Sequence, residues 1–170
     1  MTLTLSLKSI RYLLKQQNKL DLQIKKSKDI TNKEWKNNFI HKHSLALNVE
    51  VSEFINECTD IWKYWKDKAP DLDQVLDEAI DVIHFLMLHW NKQSGAPAAL
   101  KNTHCLYAKG FDDLPVDDEA LEQLQNNDDI AMKLMIVLKV LEHYGFTEQD
   151  IIDQYDKKNA INFQRLESGY

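Results

Sequence analysis

The chain has 170 residues, of which 44% are hydrophobic and 28% are charged, as in a single soluble globular domain with a substantial core. The formal net charge of −6 disfavours nucleic acid and anionic membrane surfaces as binding partners. The sequence has no apolar run long enough to span a bilayer, and its 2 cysteines are too few for a disulfide framework. We therefore expect one cytoplasmic domain that covers residues 1–170.

Helices are the expected secondary structure of this chain. Only 4 glycines and 3 prolines interrupt it, and the sequence lacks alternating runs of β-branched residues. Apolar spacing, capping residues and chain breakers predict helices, in chain order, over residues 6–26, from Thr31 to about Trp65, over 72–91, from Asp128/Asp129 to Gly145, and from Thr147 into the tail. The predicted fold is all-α, a bundle of four to five main helices.

Residues 92–126 differ in composition from the rest of the chain. Gly95, Pro97, Gly110 and Pro115 fall here, among several aspartates. Clusters of such turn residues indicate loops and short helices. We expect a loop-rich excursion from the bundle that is free to move.

Two pairs of carboxylates are the strongest indication of chemistry. Glu50/Glu53 and Glu78/Asp81 are each spaced i, i+3, so each pair lies on one face of a predicted helix. The midpoint between the pairs falls near Trp65, and an antiparallel hairpin folded there brings the pairs level. Four converging carboxylates need a cation, because close like charges cannot all stay ionised. Hard oxygen ligands suit Mg²⁺, which commonly brings a substrate's phosphates with it.

The same acids allow other interpretations. The chain has further acidic pairs with this spacing, namely Glu57/Asp60, Glu119/Glu122, Asp150/Asp153 and Asp153/Asp156. The acids could therefore be surface features of a non-catalytic helical interaction protein. His84 follows Asp81 by three residues, and Glu-x-x-His on each of two helices is typical of di-iron bundles. Neither acidic pair ends in His, so a carboxylate-bridged redox metal is the lesser alternative.

Two other segments contain residue types that bind nucleotides. The segment WKYWK, residues 62–66, interleaves aromatic rings with lysines, which would stack a base and hold a phosphate. Its tryptophans could instead pack on the end of the core. In the tail, Lys158, Asn162 and Arg165 share one helical face that suits a triphosphate. The alternative for the tail is a solvated basic turn that the helix dipole stabilises.

Taken together, these motifs resemble the dimeric all-α dUTPases, a branch of the all-α nucleoside triphosphate pyrophosphatases. That superfamily also includes the MazG-like enzymes and the phage dCTP/dUTP pyrophosphatases. The acidic pairs are similar to the superfamily signature, whereas WKYWK, the DVIHF stretch around Asp81 and LLKQQNKLD at residues 13–21 resemble the dUTPase branch. The ending resembles that branch at Lys158, Asn159, Asn162, Arg165, Gly169 and Tyr170. The resemblance covers most of the chain outside residues 92–126.

The resemblance implies an enzyme that hydrolyses dUTP to dUMP and pyrophosphate, which keeps uracil out of DNA and supplies thymidylate synthesis. It implies two or three Mg²⁺ ions, with Mn²⁺ as a substitute, on Glu50, Glu53, Glu78 and Asp81. Glu53, with Glu50 beside it, would also orient or deprotonate the attacking water. The implied partners are a second copy of the chain and a small nucleotide, dUTP, with dUDP or dCTP as further candidates.

The remaining roles follow the motifs position by position. The implied phosphate-binding residues are Lys66, Lys158, Asn162, Arg165 and Tyr170. The implied base-binding residues are Gln17, Asp21, Trp62 and Trp65, and His84 would lie behind the metal ligands. The family usually has Asn where this chain has Asp21, and an ionised carboxylate only accepts hydrogen bonds. An acceptor suits the exocyclic amine of cytosine, so dCTP or a non-canonical nucleotide is the alternative substrate.

Overall fold

The computed structural model describes residues 3–93 and 114–169. Within these ranges the chain forms helices and no strand: α1 (Leu7–Ser27), α2 (Asn32–Asn37), α3 (Ile40–Glu57), α4 (Thr59–Trp62), α5 (Leu72–Gln93), α6 (Asp118–Asn126), α7 (Ile130–His143) and α8 (Glu148–Glu167). The five long helices, α1, α3, α5, α7 and α8, make up the bundle and confirm the predicted all-α fold. None of the helices in these ranges is long and apolar enough to cross a membrane.

The excursion expected at residues 92–126 is described only at its two ends. Helix α5 continues to Gln93, and α6 begins at Asp118 after a short extended stretch. The expectation of loops and mobility falls on residues 94–113, which lie outside the described residues.

Capping side chains start two of the helices where the sequence predicts. Thr31 forms a capping box with Glu34, and Thr147 forms one with Asp150. After α7, Gly145 adopts a φ of +85°, which glycine reaches without steric strain. The predicted starts of α2 and α8 and the predicted end of α7 are therefore confirmed.

The predicted helix from Thr31 to about Trp65 is wrong as a continuous element. The structure divides it into α2, α3 and α4, with breaks before Ile40 and at Cys58. Neither glycine nor proline lies at these breaks, so the local pattern contains no signal for them.

Aromatic side chains make contacts across both breaks. At the first, the ring of Trp35 packs against His43, with 4.5 Å between the ring centroids. At the second, the indole of Trp62 turns back and donates a hydrogen bond to the carbonyl oxygen of Ile55 at 2.8 Å. The last carbonyls of a helix lack partners within it, so this indole supplies one to α3. Tertiary contacts therefore override local helix propensity here.

Helix α5 is the centre of the bundle and contacts α1, α3, α7 and α8. Its predicted apolar face is buried, at Val75, Ala79, Val82, Ile83, Leu86 and Trp90. Truncation of a fully buried residue here, such as Leu86→Ala, would cost about 2–5 kcal/mol of stability. Hydrogen bonds from α1 and α8 hold three polar residues of α5, Asp77, Asp81 and His84, and this fixes their positions in the bundle.

Candidate active site

Three of the four predicted metal ligands converge. One carboxylate oxygen from each of Glu50, Glu78 and Asp81 lies within 4.8 Å of the other two. Glu50 belongs to α3 and the other two to α5, so these three residues have the level placement that the hairpin predicts. Glu53 is exposed, yet its charge is close enough to act on Glu50. We call Glu50, Glu78 and Asp81 the acidic cluster, with Glu53 at its rim.

The pKa values of the acidic cluster reflect burial first and repulsion between the carboxylates second. Burial, followed by repulsion from Asp81, Glu53 and Glu78, raises the pKa of Glu50 to about 7. Burial is also the main cause that raises the pKa of Glu78 and the pKa of Asp81. Such an environment disfavours the ionised form of these acids until a cation neutralises them. A donor set made only of carboxylate oxygens fits a hard divalent cation.

A lysine of the last helix already contacts the acidic cluster. Lys158 Nζ donates hydrogen bonds to the carboxylate of Asp81 and, at 2.6 Å, to Oδ2 of Asp77. Gln154, one turn earlier on α8, donates to Oδ1 of Asp77 at 2.8 Å. Burial lowers the pKa of Lys158, but the hydrogen bonds and the negative charges of Asp77 and Asp81 together raise it by more, so the ammonium stays charged. Asp77 therefore fixes α8 against α5 next to the acidic cluster.

A cleft of about 310 Å³ opens beside the acidic cluster. The polar part of its lining comes from Gln17, Glu50, Asp81, His84, Asn162 and Arg165, and the apolar part from Leu20, Ile24, Phe85, Leu88 and Leu166. Along α5 the lining changes from the acid of Asp81, through the imidazole of His84, to Leu88, in steps of about one helical turn. The cleft therefore has one acidic end and one apolar end.

A buried hydrogen-bond network supports one wall of this cleft. Gln17 Oε1 accepts from the hydroxyl of Tyr155 at 3.0 Å and lies 2.8 Å from His84 Nδ1. Gln17 Nε2 donates to Asp21 Oδ1 at 2.8 Å. Asp21 is only 3% exposed, and burial raises its pKa to about 6. Among the described residues that line the cleft Asp21 is absent, so its predicted direct contact with a base is not supported by its position.

Comparison of the sequence with known protein families agrees with this arrangement. A sequence model of the dUTPase family matches residues 9–170. The chain belongs to the dUTPase family. It is therefore an enzyme, a dUTP diphosphatase, and the interpretation as a non-catalytic interaction protein is wrong. No curated protein matches the chain.

Enzymes of the dUTPase family generally use a divalent metal, and the residues of this chain fit one. Three partly buried carboxylates with raised pKa values need a positive charge near them. Lys158, which contacts this cluster in the described part of the chain, supplies one positive charge, which is fewer than the number of carboxylates. A divalent cation would supply the rest.

The remaining predicted residues lie in different places. Asn162 and Arg165 line the cleft as their shared helical face predicts. Trp62 and Trp65 pack edge to face, 5.6 Å apart, and within the described part of one chain neither lines the cleft. Lys66 lines a separate cavity of about 150 Å³. Tyr170 lies outside the described residues.

Two residues that shape the site are missing from the sequence prediction. Asp77 precedes Asp81 by four positions, so the helical period contains the signal that both share a face. Tyr155 belongs to the buried stripe of α8, which also includes Ile151 and Asn159 at intervals of four. That spacing identifies Tyr155 as an inward residue, but its partner Gln17 is 138 positions away in the sequence.

Proposed function

We propose that this dUTPase cleaves dUTP to dUMP and pyrophosphate with Mg²⁺ held at the acidic cluster, and that it thereby keeps uracil out of DNA and supplies thymidylate synthesis. The observation that carries the proposal is a cluster of three carboxylates, two of which, Glu50 and Asp81, line one end of a cleft whose other end is apolar. A nucleoside triphosphate has the same division between a charged chain and a flat base. Mn²⁺ is the expected substitute, because it accepts the same oxygen ligands.

The last helix supplies the proposed grip on the phosphates. Asn162 and Arg165 line the cleft one turn apart on α8. An amide and a guanidinium donate hydrogen bonds to phosphate oxygens, and the guanidinium does so in a bidentate fashion. Lys158 precedes Asn162 by one turn and already contacts the acidic cluster, so its ammonium is proposed to reach the same phosphates.

Glu53 is proposed to orient the attacking water and to accept its proton. The carboxylate is exposed at the rim of the acidic cluster, where a water has access to it. Bound divalent ions, two or three in the proposed complex, would neutralise the phosphate charge and make a water more acidic. The water oxygen bonds to one phosphorus of the α–β anhydride, and the bridging oxygen leaves with the other. Such hydrolysis needs charge neutralisation and an in-line water more than covalent participation by the protein.

A nucleotide panel tests this proposal. Purified protein is incubated with dUTP, dUDP, dCTP, dTTP and UTP in Mg²⁺, in Mn²⁺ and in EDTA. We expect preferential turnover of dUTP in either metal and none in EDTA. Equal turnover of all bases would overturn the uracil preference, and turnover that depends on bound iron would favour the di-iron alternative.

We also propose that the enzyme is a cytoplasmic homodimer. Leu45 and Val49 lie one turn apart on α3 and are exposed, Leu45 to 65%, which is an apolar pair that a second copy would cover. The buried free thiol of Cys58 suits a reducing compartment. Sedimentation of the wild type and of Leu45→Lys tests the dimer. A monomeric wild type at micromolar concentration would contradict it.

A further inference from the structure

The imidazole of His84 lines the cleft, and its neighbours fix which of its two ring nitrogens bears the proton. His84 is 5% exposed, and its Nδ1 lies 2.8 Å from Gln17 Oε1. The same amide oxygen accepts from Tyr155, while the amide nitrogen donates to Asp21. The reverse orientation of the amide would place its oxygen against the oxygen of Asp21. Because an amide oxygen only accepts, Nδ1 must bear the proton and Nε2 must be the bare nitrogen.

The bare Nε2 has no hydrogen-bond partner among the described residues, although it is buried. Burial, with a smaller effect from the charge of Lys158, lowers the pKa of His84 to about 3, so the ring is neutral at physiological pH. Tyr155 stacks on the imidazole with 3.9 Å between centroids and 20° between planes, which holds the ring in place. A buried acceptor without a partner is costly, so an imidazole that lines the cleft and carries such an atom is suited to a ligand's donor.

We propose that His84 Nε2 accepts a hydrogen bond from the N3–H of uracil and thereby selects uracil over cytosine. This proposal rests on the proposed function. Uracil and cytosine differ at this ring atom, since N3 is a donor in uracil and an acceptor in cytosine. Cytosine would set two lone pairs against each other and leave Nε2 buried without a partner. A site built around one hydrogen bond rejects the analogue that lacks it far better than an apolar pocket rejects a change of size.

The position of His84 along the cleft agrees with this role. It lies about one helical turn beyond Asp81 and one turn before Leu88, between the acidic cluster and the apolar end. We therefore assign the selection of the base to His84, whereas the sequence prediction assigns it to Asp21. Asp21 acts on the base only through Gln17, whose amide orientation it sets.

The test compares the preference for dUTP over dCTP in two matched variants. In His84→Asn, the side-chain amide nitrogen can still donate to Gln17, but no atom remains at the position of Nε2. His89→Asn is the control, because His89 is also a buried histidine of α5 with an unpartnered Nε2 and does not line the cleft. We expect the ratio of kcat/KM for dUTP to that for dCTP to fall about 10- to 100-fold in His84→Asn, mainly through KM for dUTP, and to stay at the wild-type value in His89→Asn.

Calorimetry of dUMP and dCMP binding in EDTA gives the same comparison without metal or turnover. An unchanged dUTP:dCTP ratio in His84→Asn would overturn the proposal. If the ratio is unchanged because both nucleotides lose equally, the contact would be assigned to the sugar, whose 3′-hydroxyl is the other donor. A wild type that cleaves no nucleotide would instead refute the proposed function.

A substrate change covers the case in which His84→Asn does not fold. The wild type is then given N3-methyl-dUTP, which lacks the N3–H. We expect turnover at least about tenfold below that of dUTP. Equal turnover of the two nucleotides would overturn the role of His84.

Discussion

Lys158 donates a hydrogen bond to the carboxylate of Asp81, and the two side chains are only 15% and 26% exposed. An ammonium group of the protein therefore occupies one side of the acidic cluster, where it offsets part of the repulsion among the carboxylates. Asp77 holds the same ammonium at 2.6 Å. The lysine proposed to grip the phosphates is thus also the counter-ion of a proposed metal ligand.

Lys158→Met removes this counter-ion and keeps much of the side chain's volume. It leaves the carboxylates of Asp77 and Asp81 without the ammonium between them. In EDTA we expect the free energy of unfolding to fall by about 1–2 kcal/mol, which lowers Tm on the order of 5 °C in a domain of this size. Thermal denaturation followed by circular dichroism measures this shift. Lys157→Met, at an exposed neighbouring position, is the control, and its Tm should stay within about 2 °C of the wild type. Equal Tm shifts in the two variants would contradict the role of Lys158.

Glu50 should make the stability of the metal-free protein depend on pH. Its pKa is about 7 in the folded protein, whereas its ordinary value is 4.5. Between these values the folded state binds more protons than the unfolded state, so the contribution of Glu50 to stability is fully present below about pH 4.5 and is lost as the pH rises through 7. In EDTA we expect Tm to fall across this window, and Glu50→Gln to flatten the fall.

Two controls isolate this effect of Glu50. Glu119→Gln removes an exposed acid of α6 and should keep the wild-type pH profile. Saturating Mg²⁺ should remove most of the fall in the wild type, because a bound cation favours the ionised cluster. If Glu50→Gln and the wild type had the same slope in EDTA, Glu50 would not be the group that titrates.

The local part of the site is predictable from the sequence, because it depends on the helical period. That period places Glu78 and Asp81 on one face of α5, and the midpoint near Trp65 brings Glu50 level with them. Asn162 and Arg165 are likewise placed in the cleft by their shared face on α8. In each case the relevant spacing lies within one helix or across one hairpin.

The rest of the site depends on packing between distant helices. Gln17 and His84 are 67 positions apart, and no local pattern indicates that α1 brings the amide to the imidazole. Lys158 has the charge and spacing of a phosphate-binding residue, but the approach of α8 to α5 places it on Asp77 and Asp81. Long-range partners of this kind require the fold.

Asp21→Asn should stabilise the protein without changing its base preference. Asp21 is 3% exposed with its pKa raised to about 6, so above that pH it is a buried charge. Asparagine keeps the oxygen that accepts from Gln17 and removes the charge, and we expect a gain of about 1–2 kcal/mol at pH 8. Thermal denaturation and the dUTP:dCTP ratio measure the two effects, with Asp67→Asn in the exposed loop as the control. A changed ratio in Asp21→Asn would show that Asp21 reaches the base, as the sequence predicts.

For Trp65, the role predicted from the sequence differs from its position in the structure of a single chain. The sequence assigns it to the base pocket, whereas the structure leaves it 58% exposed and away from the lining of the cleft. We expect Trp65→Ala to leave kcat/KM for dUTP within about twofold of the wild type, because loss of an exposed side chain that does not line the cleft has little effect. Steady-state kinetics measures this. A rise of tenfold or more in KM, with an unchanged Tm, would show that Trp65 reaches the nucleotide after all.

The most direct measurement of the central claim is product analysis of dUTP hydrolysis by the wild type and by Asp81→Asn in Mg²⁺. Asparagine at this position keeps the size of the side chain and removes the charge that the acidic cluster offers to a cation. Phosphorus NMR should show that the wild type forms dUMP and pyrophosphate in equal amounts, and that Asp81→Asn, with its helical circular dichroism spectrum retained, is slower by about 100-fold or more. Formation of dUDP and phosphate by the wild type, or undiminished activity in Asp81→Asn, would contradict the assignment of this cluster as the catalytic metal site.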